Sequence, residues 1–425
     1  MRALVLSDSH LGAWTGDDLL RHDRYLERLA PHLDDLDELI FLGDLFDLLF
    51  GSLEDAFGAA SGLFDLIRER MQGGRFVFVA GNHDHHFVVR EQEDLREFGA
   101  IGATSEEDRE RVIRGQALRE LFARRLQGVE VVISYPTYEF GGVLLAHGHY
   151  LDPHARQAGA MGSRLLTRAL WAIAAGGKED PKTEQDYEAV IRLLTEVLYA
   201  IAQLPHGTTA QRSVFGGVQR VGRIANAAGA PVRGVKDLGS VIAERLRRAD
   251  VPAPDPEPGG EAISMAEYRR AQGEDARRAG SMEFRPGQQE GYPIVRVVHP
   301  GDPREVALEA FAQSVRNLGW DRDHDRIVFA HTHQPIDGAT VPLTPGVRYW
   351  NTGCWIYEPD LGSHESYVRY LRNAWPGTGV VIDTDEPDPR VLEVLADLNP
   401  LEGGEGIPRH PPPAPGSPRG SGDDG

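Results

Sequence analysis

Asp, Asn and His gather in five short clusters: Asp8-Ser9-His10, Gly43-Asp44-Leu45-Phe46-Asp47, Gly81-Asn82-His83-Asp84, His147-Gly148-His149 and His331-Thr332-His333. Carboxylate oxygen, amide oxygen and imidazole nitrogen are intermediate-to-hard ligands, suited to Mn2+, Fe or Zn2+. Cys354 is the one cysteine, which rules out an internal disulfide, a Cys-based zinc finger and an iron–sulfur cluster. The ligands suffice for two divalent ions, held about 3.5–4 Å apart by a bridging carboxylate. Such a pair polarises a phosphoryl oxygen, lowers the pKa of a bridging water and aims it in line. Any one cluster arises by chance, and Gly81-Asn82-His83-Asp84 in isolation reads as an ordinary turn. Their common position in the chain carries the metal reading.

Each cluster follows an apolar run. Residues 3–6, 39–42, 76–80, 143–146 and 327–330 are nearly continuous in aliphatic and aromatic side chains, as is 129–134, which no such cluster follows. Runs of this kind are strands buried on both faces. Helical stretches at 18–33 and 53–72 alternate with the early strands, which argues for an α/β layered domain. Ligands sit at the carboxyl ends of strands in open α/β sheets, so folding is expected to collect the clusters along one edge.

Residues 150–325 read differently. Stretches 164–175, 186–204 and 304–318 have helical periodicity; in the second, Val190, Leu193, Leu194, Val197, Leu198 and Ile201 share one face. Residues 251–260 are rich in Pro, Glu and Gly and read as a loop. The expected organisation is a core in two parts, 1–149 and 326–398, split by a mostly helical insertion at 150–325. A Pro/Gly-rich tail at 399–425 is expected to be disordered. The insertion leaves and re-enters the core beside metal-ligand clusters, so it is expected to cap the site and set substrate choice. Its apolar stripes, Trp171 included, read as internal packing, with an acyl-chain groove as the sharper alternative.

The formal charge of −20 over 425 residues repels phosphate backbones, and with no basic stripe nucleic acid is not an expected partner. The amino terminus holds too short an apolar run for a signal peptide. No stretch reaches the roughly 18 apolar residues that span a bilayer. The protein is expected in the cytoplasm, with peripheral membrane contact left open.

With these motifs in this order the chain resembles the calcineurin-like metallophosphoesterases, whose signature is Asp-x-His, Gly-Asp-x-x-Asp, Gly-Asn-His-Asp/Glu, His and Gly-His-x-His. Ala330 stands where Gly is usual. The resemblance implies a double β-sandwich flanked by helices. It also implies two divalent metal ions, Mn2+ first with Fe or Zn2+ as alternatives. One ion would be held by Asp8, His10, Asp44 and His333, the other by Asp44, Asn82, His147 and His331, with Asp44 bridging. His83 would be the catalytic histidine and Asp84 would orient its ring. Ser7-Asp8-Ser9-His10-Leu11-Gly12 and residues 43–49 resemble the UDP-2,3-diacylglucosamine diphosphatase branch. That branch usually has Arg at the position of His83 and shorter chains, so a relative with a different substrate is expected.

Asp47 and His149 are candidates for supporting hydrogen bonds at the site. His85 and His86 read as solvated loop residues, and His154 and Arg156 as either phosphate contacts or surface. Asn351-Thr352-Gly353 reads as a structural turn beside the site, and Cys354 as a buried, inert thiol. The reaction expected is hydrolysis of a phosphodiester or pyrophosphate in a nucleotide, sugar-nucleotide or lipid-linked substrate. Alternatives are a metal-stabilised scaffold without catalysis, or a phosphomonoesterase or protein phosphatase.

Overall fold

The structure is a computed structural model, and it describes residues 1–13, 15–88, 117–154, 181–203, 303–359 and 364–407. Two sheets form its centre. The six-stranded sheet comprises β1 (Arg2–Leu6), β2 (Glu38–Leu42), β3 (Arg75–Val79), β4 (Glu130–Ser134), β10 (Thr378–Asp383) and β11 (Arg390–Glu393), in the order β11-β10-β1-β2-β3-β4. Strands β1 to β4 are parallel, with Val5 opposite Ile40 and Ile40 opposite Val77. The five-stranded sheet comprises β5 (Thr137–Phe140), β6 (Val143–Ala146), β7 (Arg326–Phe329), β8 (Ile336–Ala339) and β9 (Arg348–Asn351), in the order β5-β6-β7-β9-β8. Here β6, β7 and β9 are parallel.

Side chains alternate across a strand, so one residue in two shows which face meets what. Ala3, Val5, Ile40, Leu42, Val77 and Val79 pack with Val143, Leu145, Val328 and Trp350 in one buried cluster, so the sheets lie face to face. The other face of the first sheet (Leu4, Leu6, Leu39, Phe41, Phe76, Phe78) packs on α2 (Leu53–Arg70) and α3 (Ala117–Arg125) through Leu63, Phe64, Ile67 and Phe122. The other face of the second sheet (Leu144, Ile327, Phe329, Tyr349) packs on α5 (Pro303–Leu318) through Leu308, Phe311 and Val315. Burial on both faces is the physical reason the strands read as unbroken apolar runs.

Three boundaries differ from the sequence reading. The stretch 18–33 is one short helix, α1 (Asp23–Leu29), between two 3-10 turns. The Leu19 N–H is taken by the Trp355 carbonyl, and Pro31 brings no donor, so one continuous helix does not form. Helix α5, assigned to the insertion from its periodicity, is an outer layer of the core, because its apolar stripe covers the second sheet. Residues 399–407, assigned to the tail, are packed: Asn399 donates to the Leu371 carbonyl at 2.7 Å, accepts from Leu401 N–H, and Ile407 joins the main core. Of the insertion, α4 (Glu184–Ala202) is helical as its periodicity implies. Arg156, Trp171, residues 251–260 and the tail from 408 lie outside the described residues. No helix among the described residues is long and apolar enough to cross a membrane.

Candidate metal centre

Strands β1, β2, β3, β6 and β7 all end on one edge, and the turns that follow are laced together. Asp8 N–H donates to the Gly43 carbonyl at 3.1 Å, His10 N–H to Asp44 O at 2.9 Å, and Ala330 N–H to His147 O at 2.9 Å. Asp8, His10, Asp44, His331 and His333 all have positive φ, between 46° and 69°. L-residues rarely adopt this region, and strain of this kind concentrates at functional sites. Two glycines make room. A Cβ on Gly43 would meet His147 Nδ1 at 2.2 Å, and one on Gly81 would meet Asp44 Oδ1 at 2.2 Å.

Hydrogen bonds leave one oxygen of each key carboxylate facing the cluster. Asp8 Oδ2 accepts from the Ser7 hydroxyl at 2.5 Å and from His331 N–H at 3.1 Å. Buried Asp8 Oδ1 has no hydrogen-bond partner and lies 3.2 Å from His333 Nε2 and 4.0 Å from His10 Nε2. Asp44 Oδ1 accepts His83 N–H at 2.8 Å, while Oδ2 lies 3.3 Å from His147 Nε2 and 3.9 Å from His10 Nε2. His147 Nδ1 donates to the Leu42 carbonyl at 2.8 Å, which directs Nε2 toward Asp44 and toward Asn82 Oδ1 at 3.2 Å.

Among the described residues, three sets of ligand atoms lie within 4.8 Å of one another: Asp8, His10 and His333; His10, Asp44 and His83; Asp44, His147 and His331. Separations near 3 Å suit neighbouring ligands of a cation bonded at about 2.0–2.2 Å. The unpartnered Asp8 Oδ1 and the nitrogen–oxygen donor set therefore fit divalent cations such as Mn2+, Fe or Zn2+.

The electrostatics agree. Burial pushes the Asp44 and Asp8 carboxyls up, but the facing histidines, His147 for Asp44 and His333 for Asp8, outweigh it and hold both below the usual value. Burial pulls His147 and His83 down, yet Asp44 raises them to about 10 and about 9. Two buried carboxylates thus demand positive charge, which protons supply in the protein alone and a cation supplies more strongly.

The candidate catalytic pair is rearranged. His83 Nδ1 lies 2.8 Å from Asp47 Oδ1, so Asp47 orients the ring. Asp84 instead accepts backbone N–H groups of Gly81 at 2.6 Å and Leu45 at 2.9 Å, pinning two loops together. The expectation that Asp84 orients His83 is therefore corrected: its carboxylate is committed to loop amides. His83 lies beside the first ligand set, with its ring centroid 4.4 Å from that of His10.

His85, expected in solvent, is fully buried and its Nε2 lies 2.8 Å from Glu188 Oε2 on α4. His86 stacks on Tyr199 of the same helix, with centroids 3.5 Å apart. His154 Nε2 lies 2.7 Å from the Tyr187 hydroxyl and so meets α4 too. His149 is buried, its Nε2 is 3.2 Å from the Tyr135 hydroxyl, and burial keeps its pKa far below the usual value. Asn351-Thr352-Gly353 is a turn: Gly353 N–H donates to Asn351 Oδ1, and Thr352 pairs with the Ser7 hydroxyl behind Asp8. The buried Cys354 thiol donates to Ile356 O, and burial raises its pKa, so it is inert.

Two acidic neighbours escaped the sequence reading. Asp152 Oδ1 lies 3.1 Å from His331 Nε2, and Glu188 enters from a distant helix. Asp152 stands three residues past His149, where spacing could have drawn notice; Glu188, 103 residues from His85, carried no local signal.

A family model described as calcineurin-like phosphoesterase matches residues 1–186. That span includes Asp8, His10, Asp44, Asn82, His83 and His147, while His331 and His333 join the cluster by geometry. No curated protein matches the chain. Residues 1–186 thus match the domain of the calcineurin-like phosphoesterases, whose members are metal-dependent phosphoester hydrolases, and the protein is a metal-dependent hydrolase of phosphoric esters.

Proposed function

We propose that the protein is a two-metal phosphoesterase acting on a phosphodiester or pyrophosphate bond of a nucleotide, sugar-nucleotide or lipid-linked substrate. The observation that carries this is the position of Asp44 Oδ2, 3.9 Å from His10 Nε2 on one side and 3.3 Å from His147 Nε2 on the other. Asp44 would bridge, with Asp8, His10 and His333 completing one site and Asn82, His147 and His331 the other. Two bound cations supply Lewis acidity toward a phosphoryl oxygen and lower the pKa of attacking water. Mn2+ is our first choice, with Fe and Zn2+ compatible with the same donors.

The chain's own part is positioning and proton supply. Asp47 holds the His83 ring at Nδ1, and with no cation bound Asp44 and Asp47 raise its pKa to about 9 against the pull of burial. A protonated His83 donates to the departing oxygen, as a general acid must. Backbone strain at five ligand residues is sustained by the laced turns, which fixes the site before substrate arrives. The core then comprises 1–149 and a second part from Pro303, with the intervening residues as a cap. The negative charge and the one cysteine suit a small-molecule enzyme of the cytoplasm.

The test is hydrolysis of bis(p-nitrophenyl) phosphate by metal-stripped protein with Mn2+ added back, beside Asp44→Ala. Mn2+-dependent turnover lost in the variant supports the reading. A wild-type protein that binds metal but cleaves neither this diester nor any nucleotide, sugar-nucleotide or lipid-linked pyrophosphate overturns it in favour of a scaffold. Preference for p-nitrophenyl phosphate over the diester redirects it to a monoesterase.

A further inference from the structure

The residues directly after His83 and Asp84 are held from outside the two sheets. Glu188 of α4 takes three donors on one carboxylate: His85 Nε2 at 2.8 Å on Oε2, and the hydroxyls of Tyr135 and Tyr150 on Oε1. These donors come from three places, namely the loop after β3, the end of β4 and the turn after His149. Burial works against the charge on Glu188, but its three partners outweigh it, His85 first, and hold the carboxyl below its usual value. About two turns along the helix Thr195 Oγ1 lies 3.5 Å from His85 Nδ1, and about three turns along Tyr199 stacks on His86. Thus both ring nitrogens of His85 face α4, and the next ring lies flat against it.

The same loop carries Asn82 and His83. On its other side it is anchored by Asp84, bonded to the amides of Gly81 and Leu45, and by Asp47, bonded to the His83 ring. A buried His and a half-buried Glu at 2.8 Å form a charge-assisted link, and the two Tyr hydroxyls hold the carboxylate from its other oxygen.

We propose that Glu188 is a positioning residue: by clamping His85 to α4 it sets where Asn82 and His83 stand, so that the cap helix holds the catalytic loop in register with the metal ligands. This rests on the proposed two-metal function of the same site. The clamp ties catalytic competence to docking of α4.

A merely structural role for α4 predicts a different result, because the helix has a second anchor. Gln203 accepts Leu53 N–H at 3.0 Å and donates to the Gly51 carbonyl, so it ties the helix end to the start of α2 and not to the loop at 81–88. Glu188→Gln keeps size and removes the charge, so one amide must face donors that a carboxylate accepted. With Mn2+-loaded full-length protein and bis(p-nitrophenyl) phosphate, we expect Glu188→Gln to lower kcat about 10-fold or more with KM within twofold. Its Co2+-substituted form should show a changed absorption spectrum, because Asn82 is a candidate ligand. Gln203→Ala should match the wild type in both. Glu188→Asp, which keeps the charge on a shorter arm, should fall between, and it carries the comparison if Glu188→Gln does not fold. A kcat within twofold of wild type in Glu188→Gln, or an equal loss in Gln203→Ala, overturns the clamp. Absence of turnover in the wild type overturns the parent reading instead; the Co2+ spectrum then still decides, and an unchanged spectrum in Glu188→Gln overturns the clamp.

Discussion

Asp47 Oδ1 sits 2.8 Å from His83 Nδ1, across the site from the loop that carries the histidine. Asp84, adjacent in sequence, is spent on the amides of Gly81 and Leu45. The partner of the proposed catalytic ring therefore comes from the turn after β2 and the ring itself from the turn after β3. The dyad forms only once both parallel strands are in register, with Leu42 opposite Val79.

Asp47→Asn should consequently act on protonation more than on binding. Burial lowers the His83 pKa, and Asp44 and then Asp47 raise it to about 9. Removing the Asp47 charge lets the folded-state value fall, so the protonated ring is lost at lower pH. We expect kcat to drop roughly 10–100-fold near neutrality, with the alkaline limb of the kcat–pH profile moved to lower pH. An unmoved limb, measured with saturating Mn2+, would remove His83 as the acid.

The ligand clusters and the strands before them are legible in the sequence because both obey local rules: an apolar run buried on both faces, then a polar turn. Contacts set by tertiary pairing are not legible in this way. Asp84 stands next to His83 and reads as its partner, yet backbone direction after β3 turns its carboxylate under Gly81. His85 reads as solvated because no nearby residue announces Glu188. Helix α5 is legible as a helix but not as a layer of the core, since periodicity gives the apolar face and not what covers it. Asn399, in a stretch rich in Pro and Gly, is tied down by its bond to the Leu371 carbonyl, a contact composition does not reveal.

Metal uptake should release protons. His147, held at about 10 by Asp44 against the pull of burial, keeps a proton at neutral pH that a cation must displace. Affinity for Mn2+ is expected to climb about 10-fold per pH unit for each proton released, measured between pH 6 and 8 by calorimetry in two buffers. In the metal-stripped protein the sign is opposite. A raised histidine stabilises fully below its unfolded value near 6.5, and that stability is lost as pH rises through about 10. Chelated protein should therefore melt at lower temperature at pH 9.5 than at pH 7, and metal-loaded protein should lose less. Equal affinity at pH 6 and 8 would contradict the pairing of His147 with Asp44.

Gly81→Ala tests the close approach of backbone to ligand. The added Cβ would stand 2.2 Å from Asp44 Oδ1, so the carboxylate proposed to bridge must move. Both ions should bind at least 10-fold more weakly, because Asp44 would serve both in the proposed site. Gly73→Ala is the control: φ is +79° there but nothing lies within 4 Å of the new atom. It should cost only the backbone term, roughly 1–2 kcal/mol by thermal or urea unfolding, with metal stoichiometry intact. If Gly81→Ala retains wild-type affinity, the carboxylate has freedom that the proposed bridge does not permit.

Asp152→Asn should separate the two proposed ions. Asp152 Oδ1 lies 3.1 Å from His331 Nε2, so the carboxylate accepts that N–H and leaves Nδ1 as the nitrogen with a free lone pair. His331 shares a ligand set with Asp44 and His147, while Asp8, His10 and His333 make up the other. An amide offers an NH2 as readily as an oxygen, so the variant no longer selects the Nε2–H tautomer. The ion at Asp44, His147 and His331 is expected to bind about 10–100-fold more weakly, and the ion at Asp8, His10 and His333 within about twofold of the wild type. Stepwise titration of chelated protein with Mn2+, followed by electron paramagnetic resonance, resolves the two events. Equal weakening of both would mean that Asp152 supports the turn as a whole and not the tautomer of His331.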